Sequence, residues 1–341
     1  MAEMLRTPVA DRSAWTVRDL ERDTAWRHRL DARERDEVVD FSRALVARGL
    51  DWRSLERSSG KTPRFTEIVD RIEDELDEGR GLFLLSGVPV EELTRPEIEL
   101  LYAWFGIHLG APKSQSVTGE IIAEVTDRGS NYATDPNARG YLSNDELRPH
   151  TDGCDISSLL CLRQAKRGGT TSLASSMAIY NRVLAEHPEY LEALYRGFHH
   201  DLRGYGKKGT GDETTEFRLP VFSFVAGKLS AGFNGKTIRT APAKNGIPLT
   251  EIETAAVDFV EGLARDPALR ADMRLAPGEI VAFSNCTTFH MRDEFEDFAE
   301  AERKRLLLRL WINGNHPRPL PEIAAKMLRG GIAKRPGASL L

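Results

Sequence analysis

The chain has 341 residues, with 47 Lys or Arg against 52 Asp or Glu, so its formal net charge is −5 with neutral histidines. Hydrophobic residues make up 40% of it and charged residues 29%, which is enough apolar material for a sizeable core. Basic and acidic residues are interleaved, which argues against a one-signed surface for nucleic acid or an anionic membrane. We therefore predict a globular protein whose partner is a small-molecule substrate, with no nucleic-acid or membrane partner, and the sequence leaves a homo-oligomer open.

The start of the chain and its cysteines bear on the compartment. Residues 1–6 carry charge where a signal peptide needs its apolar region, and no later apolar run approaches membrane-spanning length. Cys154, Cys161 and Cys286 are odd in number and lack a CxxC spacing, which predicts free thiols in the core. We expect a cytoplasmic protein.

The first third of the chain is predicted to be helical. Apolar residues recur at helical spacing over 32–48 and over 65–78. Thr94 and Pro96 predict the start of a third helix, because a capping residue followed by proline in the first turn is a helix-start signal. Amphipathic helices of this kind usually cover a sheet. We therefore interpret residues 1–80 as an N-terminal helical buttress.

After residue 80 the pattern changes to short apolar segments bounded by turn residues. Strands are predicted over 81–87, 121–125, 157–162, 170–175, 220–225, 228–233, 280–283 and 306–312, and helices over 177–195 and 249–264. Many short strands with inserted helices predict a mainly β fold, a double-stranded β-helix or jelly roll with helical buttresses. We assign the jelly-roll core to 81–315, a C-terminal extension to 316–341, and a single domain to 1–341.

Two loops are candidates for shaping a site. Residues 129–143, rich in Asn, Asp, Gly and Pro, could line a substrate entrance. Residues 203–217 are rich in glycine and charge but contain no GxxxxGK[ST], so a phosphate cradle is not indicated. This second loop is either a lid or an ordinary solvated loop.

The tripeptide His150-Thr151-Asp152 and the distant His290 are the residues most indicative of chemistry. Two imidazoles and one carboxylate on one side of a metal, with other positions open, form the ligand set of non-haem Fe(II) oxygenases. A lone HxD is a weak signal, and it gains weight only from what accompanies it. The adjacent His199 and His200 point to opposite faces, so we interpret them as one packed and one exposed histidine.

Further segments share a known pattern. They are Gly81-Leu82-Phe83-Leu84-Leu85, Gly168-Gly169-Thr170-Thr171, Pro277-Gly278-Glu279-Ile280 leading to His290, and Arg305-Leu306-Leu307-Leu308-Arg309-Leu310-Trp311. On these segments and the HxD motif, over roughly residues 80 to 312, the chain resembles the taurine dioxygenase and 2,4-dichlorophenoxyacetate dioxygenase family of Fe(II)/2-oxoglutarate-dependent oxygenases. The resemblance implies a double-stranded β-helix of the clavaminate synthase-like type.

The resemblance also implies roles for particular residues. It makes His150, Asp152 and His290 the ligands of Fe(II), and it makes Thr171 and Arg305 the clamp on the distal carboxylate of the co-substrate 2-oxoglutarate. O2 is the second co-substrate. In the family, the second arginine of the pair binds the acidic group of the prime substrate; here that residue is Arg309. Gly153 follows the metal aspartate directly, where a bulkier side chain could shape the pocket, so we count it as a substrate-binding position.

The arginines can also be weighed from the residues alone. Arg305 and Arg309 are four positions apart on a predicted strand, so both point to the same side. A guanidinium inside a barrel needs a counter-ion, and its planar fork matches a carboxylate. The alternative is an internal ion pair with Asp293 or Asp297. Arg292 is predicted to make a structural ion pair.

The predicted function is that of an Fe(II)- and 2-oxoglutarate-dependent dioxygenase. It would hydroxylate a C–H bond of a small anionic organic substrate and release succinate and CO2. An aspartate at position 152 favours hydroxylation over halogenation, because Gly or Ala there would open a halide position. The alternative is a non-oxidative, cupin-like metal-binding or isomerase module, which has no need of Arg305 together with Thr171.

Overall fold

The structure, a computed structural model, describes residues 3–135, 137–205 and 213–334. Its helices are α1 (Val17–Arg22), α2 (Ala32–Ala47), α3 (Pro63–Asp77), α4 (Arg95–Leu109), α5 (Ser176–Glu186), α6 (Leu191–Arg196), α7 (Gly235–Thr240), α8 (Pro242–Asn245), α9 (Glu251–Ala264) and α10 (Glu322–Arg329). Its strands are β1 (Arg27–Arg29), β2 (Leu82–Ser86), β3 (Gly110–Pro112), β4 (Ile122–Val125), β5 (Leu147–His150), β6 (Ile156–Arg163), β7 (Arg167–Gly168), β8 (Thr171–Ser175), β9 (Phe222–Val225), β10 (Lys228–Ala231), β11 (Arg270–Met273), β12 (Ile280–Ser284), β13 (Thr288–Arg292), β14 (Phe295–Glu296) and β15 (Leu306–Gly314).

Two sheets form the centre of the fold. The larger has seven strands in the order β1-β2-β12-β6-β15-β3, with β4 also paired to β15, and the smaller has the order β11-β8-β13-β5. Apart from the parallel pair β1 and β2, the pairs are antiparallel. The chain passes back and forth between the sheets, from β5 to β6, on to β8, and later from β12 to β13 to β15. This arrangement confirms the predicted double-stranded β-helix.

The core lies between the two sheets, and helices cover the outer face of the larger one. Leu159 and Phe283 of the larger sheet are buried in one apolar cluster with Leu173 of the smaller sheet. On the outer face, α3 contacts β2 and β12, and α4 contacts β15. Phe65 and Trp104 stack between these helices with ring centroids 5.6 Å apart. The predicted helices over 32–48, 65–78 and after Thr94 therefore exist; the second and third cover the sheet as expected, whereas α2 packs against α3 and α4.

Some local predictions were wrong. The helix predicted over 177–195 is two helices, α5 and α6, separated by a 3-10 turn at Pro188–Tyr190. Proline lacks the N–H that would continue the helix and pushes the preceding residue out of the helical region, and His187 accordingly has φ −140° and ψ 60°. Strands β1, β3, β5, β7, β11, β13 and β14 were not predicted. They are short, or they lie in segments that read as loops.

Other predictions can be placed directly. The three cysteines are buried and free, as predicted. Of the glycine-rich loop 203–217, residues 206–212 lie outside the described residues, as do residues 335–341 of the predicted C-terminal extension. Helices of the described chain all fall short of the length and apolar content that crossing a bilayer would need.

The turn at Gly168-Gly169 fixes the smaller sheet beside Arg305. Both glycines have positive φ, 71° and 70°. A Cβ on Gly168 would lie 2.2 Å from the carbonyl oxygen of Glu294, and one on Gly169 would lie 3.1 Å from Nε of Arg305. Only glycine combines this backbone conformation with so close an approach. The turn therefore sets the distance between β7, β14 and the arginine.

We expect Gly168→Ala to lower the free energy of unfolding more than Gly227→Ala. Gly227 has a similar φ of 78° but no atom within 4 Å of its would-be Cβ. Gly227→Ala should therefore cost about 1–2 kcal/mol for the left-handed backbone alone. Gly168→Ala should cost on the order of 2 kcal/mol more, because the backbone of Glu294 must move. Urea denaturation of both variants measures the difference, and equal losses would contradict this account of the turn.

Candidate active site

His150, Asp152 and His290 come together where β5 pairs with β13. His290 lies directly opposite His150 in this antiparallel pair, and the two rings are 4.1 Å apart between centroids. Asp152 follows β5 by two residues; its Oδ2 lies 3.5 Å from Nε2 of His290, and its Oδ1 lies 4.0 Å from Nε2 of His150. One potential ligand atom from each residue falls within a group in which all separations are at most 4.8 Å. The three side chains fit around a single metal ion.

One detail of the sequence interpretation was wrong. The sequence placed His290 at the border of the strand that begins near residue 280. Instead, the chain turns after β12 and enters the other sheet as β13, with His290 at its centre. A central strand position fixes the ring more firmly than a strand end, because the neighbouring strands β5 and β8 flank it on both sides.

Hydrogen bonds hold the carboxylate of Asp152 in one orientation. Its Oδ2 accepts from Nε1 of Trp311 and from Oγ of Ser157, both at 2.9 Å. Its backbone N–H donates to Oδ1 of Asn285 at 2.9 Å, and the amide of Asn285 donates to Oγ of Ser157 at 3.1 Å. His150 is oriented similarly, since its Nδ1 lies 2.8 Å from the carbonyl of Arg148, which leaves Nε2 for a metal.

Protonation states match what a metal requires. Burial alone would raise the pKa of Asp152, but Arg309 and the two imidazoles outweigh burial and hold this pKa well below its usual range. Burial lowers the pKa of His290 to about 3, with a further contribution from His150, and burial likewise lowers the pKa of His150. At neutral pH the site presents one ionised carboxylate and two neutral imidazoles, which are the forms that bind a divalent cation.

Arg305 and Thr171 line a small cavity together with the three candidate ligands. Arg305 is 3% exposed, and its Nη1 has no hydrogen-bond partner. Asp297 accepts from the backbone N–H of Arg305 at 2.7 Å, but within the described ranges no carboxylate lies within 4.0 Å of the guanidinium. Arg305 therefore does not form the alternative side-chain ion pair with Asp293 or Asp297.

Arg292 adds a second buried guanidinium to the same cavity. The predicted ion pair was wrong, because its Nη2 donates to the carbonyls of Ser143 (2.8 Å) and Asp145, while Nε and Nη1 have no partner. Burial lowers the pKa of Arg292 to about 9, with Arg305 contributing, and burial lowers that of Arg305 to about 10. Both remain cations at neutral pH. Two buried cations without a carboxylate partner indicate a binding site for an anion.

The cavity is small and would widen on binding. Its volume is about 40 Å³, which is room for only a few water molecules. A dicarboxylate must therefore displace some of the side chains around it. Side-chain adjustments of this kind are common on binding.

Arg309 lines the same cavity as Arg305, as the shared face on the strand predicted. Its Nε donates to Oε1 of Gln115 at 2.6 Å, and its Nη1 lies 3.8 Å from Oδ1 of Asp152. The guanidinium is also close to the rings of Tyr141 (4.7 Å) and Trp311 (5.0 Å). The suggested counter-ions Asp293 and Asp297 were wrong, since the carboxylate nearest to Arg309 is the candidate metal ligand.

A second, larger cavity is lined by Asp152 and Trp311, among other residues. It has a volume of about 450 Å³, within the usual range for small-molecule sites, and Asp152, Gly153 and Trp311 form its inner end. A Cβ on Gly153 would lie 3.6 Å from the Trp311 ring, an ordinary contact, so a side chain there would narrow this end. We call this space the substrate chamber.

The predicted C-terminal extension forms part of the chamber wall. Ala324, Met327 and Leu328 of α10 line the chamber. Nζ of Lys113 donates to the carbonyls of Gly153 and Leu328, both at 2.7 Å, which ties α10 to the segment beside Asp152. A function for this segment was not predicted from the sequence.

Several site residues escaped the sequence analysis. Trp311 lies two positions beyond Arg309 on the same strand, so their shared face could have indicated it. His199 and His200 were interpreted as one packed and one exposed histidine, but His200 lines the chamber. Gln115 and Arg203 carried no local signal, because their neighbours in space are far away in sequence.

Comparison with known proteins identifies the family. The sequence model described as "Taurine catabolism dioxygenase TauD, TfdA family" matches residues 53–311, and the chain belongs to this family. FR-33289 synthase of Streptomyces rubellomurinus (strain ATCC 31215) is 34% identical over 324 residues, which cover 94% of this chain and 95% of the relative. A uridine-5'-phosphate dioxygenase of Amycolatopsis sp is 29% identical over 217 residues, covering 62% and 73% of the two chains.

Solved structures show the same fold. Asparagine oxygenase in complex with Fe(II), 2S,3S-3-hydroxyasparagine and succinate has a TM-score of 0.62 at 17% identity, covering 84% of this chain and 93% of that one. The non-heme iron oxygenase OrfP with Fe and alpha-ketoglutaric acid has a TM-score of 0.64 at 15% identity, covering 91% and 99%.

Family membership defines the enzyme class. The protein is an Fe(II)- and 2-oxoglutarate-dependent dioxygenase that oxidises a small substrate with O2. The alternative of a non-oxidative, cupin-like module is not favoured. The unpaired guanidinium nitrogens and the grouped ligand atoms are compatible with both the metal and the co-substrate.

We expect Trp311→Phe to weaken Fe(II) binding about 10- to 100-fold, because Asp152 loses a hydrogen bond while the ring packing is kept. Anaerobic titration of the apoprotein with Fe(II) measures this. Trp26→Phe is the matched control: Trp26 is buried and donates its Nε1 to the carbonyl of Leu20, remote from the metal ligands. A Trp311→Phe affinity as high as that of Trp26→Phe would show that Trp311 does not position the carboxylate.

Proposed function

We propose that His150, Asp152 and His290 hold Fe(II), and that Thr171 and Arg305 hold the distal carboxylate of 2-oxoglutarate. The enzyme then hydroxylates a C–H bond of a small anionic substrate in the adjacent chamber and releases succinate and CO2. The observation that carries this proposal is the buried, unpaired guanidinium of Arg305 in the cavity that also contains the three candidate ligands.

The choice of anion follows from the cavity. A carboxylate would satisfy the free Nη1 of Arg305 and accept from the hydroxyl of Thr171. Arg292 adds a second positive charge, so the cavity favours a ligand that is fully ionised. Arg292 is therefore a further candidate contact for the co-substrate.

The remaining residues position and shield the reactants. Bound Fe(II), with 2-oxoglutarate and O2, supplies the oxidising power for the C–H bond. Trp311 and Ser157 keep Asp152 oriented toward the metal position. The apolar wall of α10 limits access of water to the chamber. The protein's contribution is the placement of one C–H bond next to the metal.

Arg309 and Gly153 are the proposed contacts to the prime substrate near the metal. Arg309 offers a cation beside Asp152, and Gly153 leaves the inner end of the chamber open. An anionic substrate is supported by the name of one relative, a uridine-5'-phosphate dioxygenase, since a phosphate ester is an anion.

We further propose that residues 1–341 act as one domain and that the enzyme works in the cytoplasm. The single domain is supported by the pairing of β1, from the N-terminal segment, with β2 of the core, and by the position of α10 on the chamber wall. The cytoplasmic assignment is supported by three cysteines that remain free thiols.

Activity assays test the ligand set. Asp152→Ala and His290→Ala should each abolish 2-oxoglutarate-dependent succinate release in a screen of amino acids, sulfonates, carboxylates and phosphonates, while thermal unfolding stays cooperative. His187→Ala, a histidine that contacts Glu189 and Phe259 away from the site, is the control and should keep full activity. Full activity of either ligand variant with iron as the only added metal would refute the ligand assignment.

Steady-state kinetics distinguish the role of Arg305, which directly precedes β15, from that of Arg309 within β15. Arg305→Ala should raise the apparent KM for 2-oxoglutarate roughly 30- to 1000-fold, because a charge-assisted bidentate contact in a shielded cavity is lost. Its KM for the prime substrate should change far less.

Arg309→Leu is the comparison variant, since it removes a cation from the same cavity. It should weaken binding of the prime substrate. Decarboxylation of 2-oxoglutarate that is not coupled to substrate oxidation should remain largely intact. Unchanged dependence on 2-oxoglutarate in Arg305→Ala would mean that another residue, with Arg292 the first candidate, holds the co-substrate.

A further inference from the structure

The substrate chamber also contains Arg203, a cation that belongs neither to the proposed metal site nor to the small cavity. Arg203 lines the chamber together with α10 and Trp311. Across residues 3–135, 137–205 and 213–334, no carboxylate lies within ion-pairing distance of its guanidinium. A positive charge that lines a ligand-sized cavity without a counter-ion is available to a ligand.

The backbone of Arg203 is strained. Its φ is 47°, and among the described residues only Ala226 is another non-glycine residue with positive φ. An L-residue in this conformation costs roughly 1–2 kcal/mol, which a glycine would not. Backbone strain of this kind is concentrated at functional sites. The chain therefore carries an arginine where its backbone favours glycine.

Hydrogen bonds on both sides keep this strained residue in place. Its N–H donates to Oδ1 of Asp201 at 2.7 Å, and its carbonyl accepts from Nη2 of Arg139 at 2.9 Å. Asp201 is itself held by Lys244 at 2.7 Å and by the hydroxyl of Thr240 at 2.8 Å. The backbone of Arg203 is thus fixed before any ligand binds, and this part of the preorganisation lowers the entropic cost of binding.

The other titratable groups of the chamber do not neutralise Arg203. Asp152 belongs to the metal centre, and Asp201 is paired with Lys244. Burial lowers the pKa of His200 to about 4, with Arg203 contributing, so His200 is neutral at neutral pH. Lys236, which lies over the Tyr132 ring at 3.5 Å, adds another positive charge close to Arg203. The charge at this end of the chamber is positive.

We propose that Arg203 binds an oxyanion, a phosphonate, sulfonate or carboxylate, on the prime substrate. The proposal rests on the proposed function. It implies a substrate that contacts Arg203 while its reacting carbon lies next to the metal position, and it makes Arg203 a specificity-determining residue distinct from Arg309, which lines the other cavity.

Binding of alkylphosphonates to the anaerobic Fe(II)/2-oxoglutarate protein tests this role. Hexylphosphonate and ethylphosphonate are the anionic probes of different length, and 1-hexanol is the neutral probe. For the wild type we expect hexylphosphonate to bind more tightly than both others in calorimetry, with an affinity that falls as ionic strength rises.

Arg203→Met and Arg203→Lys separate the charge from the fold, because both keep a side chain on the same strained backbone. Arg203→Met should weaken binding of hexylphosphonate about 10- to 100-fold and remove the dependence of this affinity on salt. Arg203→Lys should retain most of the affinity. Arg53→Met removes an exposed cation that lines neither cavity and should bind the probe as the wild type does. Wild-type affinity in Arg203→Met, or an equal loss in Arg53→Met, would overturn the proposal.

The same samples report on the proposed function separately. Both Arg203 variants should still bind 2-oxoglutarate with wild-type affinity, since Arg203 does not line the small cavity. Loss of 2-oxoglutarate binding in the wild type would refute the proposed function. Intact 2-oxoglutarate binding with phosphonate affinity independent of Arg203 would refute only the role of Arg203.

Discussion

A buried guanidinium without a carboxylate partner is the constraint around which this site is organised. Removing an ion from water costs several kcal/mol after relaxation, and the fold carries this cost twice, at Arg292 and Arg305. Backbone carbonyls accept hydrogen bonds from one nitrogen of Arg292. The Phe295 ring lies 5.0 Å from the guanidinium of Arg305. The remaining free N–H groups define where an anion would be bound.

The opposite charge lies at the other end of the same cavity. Asp152 stays ionised because the Arg309 cation lies beside it and lowers its pKa, and its orientation is set by Trp311 and Ser157. A dicarboxylate between the arginines and a metal at Asp152 would therefore alternate charges along the cavity. Asp152 lines both this cavity and the chamber, so co-substrate and prime substrate would meet at the metal position.

The sequence predicted much of this because the chemistry resides in local motifs. His150 and Asp152 are two residues apart, Thr171 follows a glycine pair, and Arg305 precedes an apolar strand, so each carries a signal among its neighbours. The jelly roll followed from many short apolar segments. The strand around His290 was missed because its turn from β12 to β13 reads as a continuation, and the helix break at Pro188 was passed over.

The substrate chamber could not have been predicted in the same way. Its wall combines the segment around Arg203, the turn beside Gly153 and α10, which are far apart in sequence and meet only in the folded chain. Asp201 pairs with Lys244 rather than with Arg203, and that pairing is a property of packing rather than of sequence pattern. Substrate selection is accordingly the part of the function least visible in the sequence.

The most direct test of the central claim is the visible spectrum of the anaerobic wild-type protein loaded with Fe(II) and titrated with 2-oxoglutarate. The account predicts a metal-to-ligand charge-transfer band that saturates at one equivalent of 2-oxoglutarate per chain, because the keto acid chelates the metal while the distal carboxylate binds Arg305. A protein that binds Fe(II) but develops no such band would contradict the account.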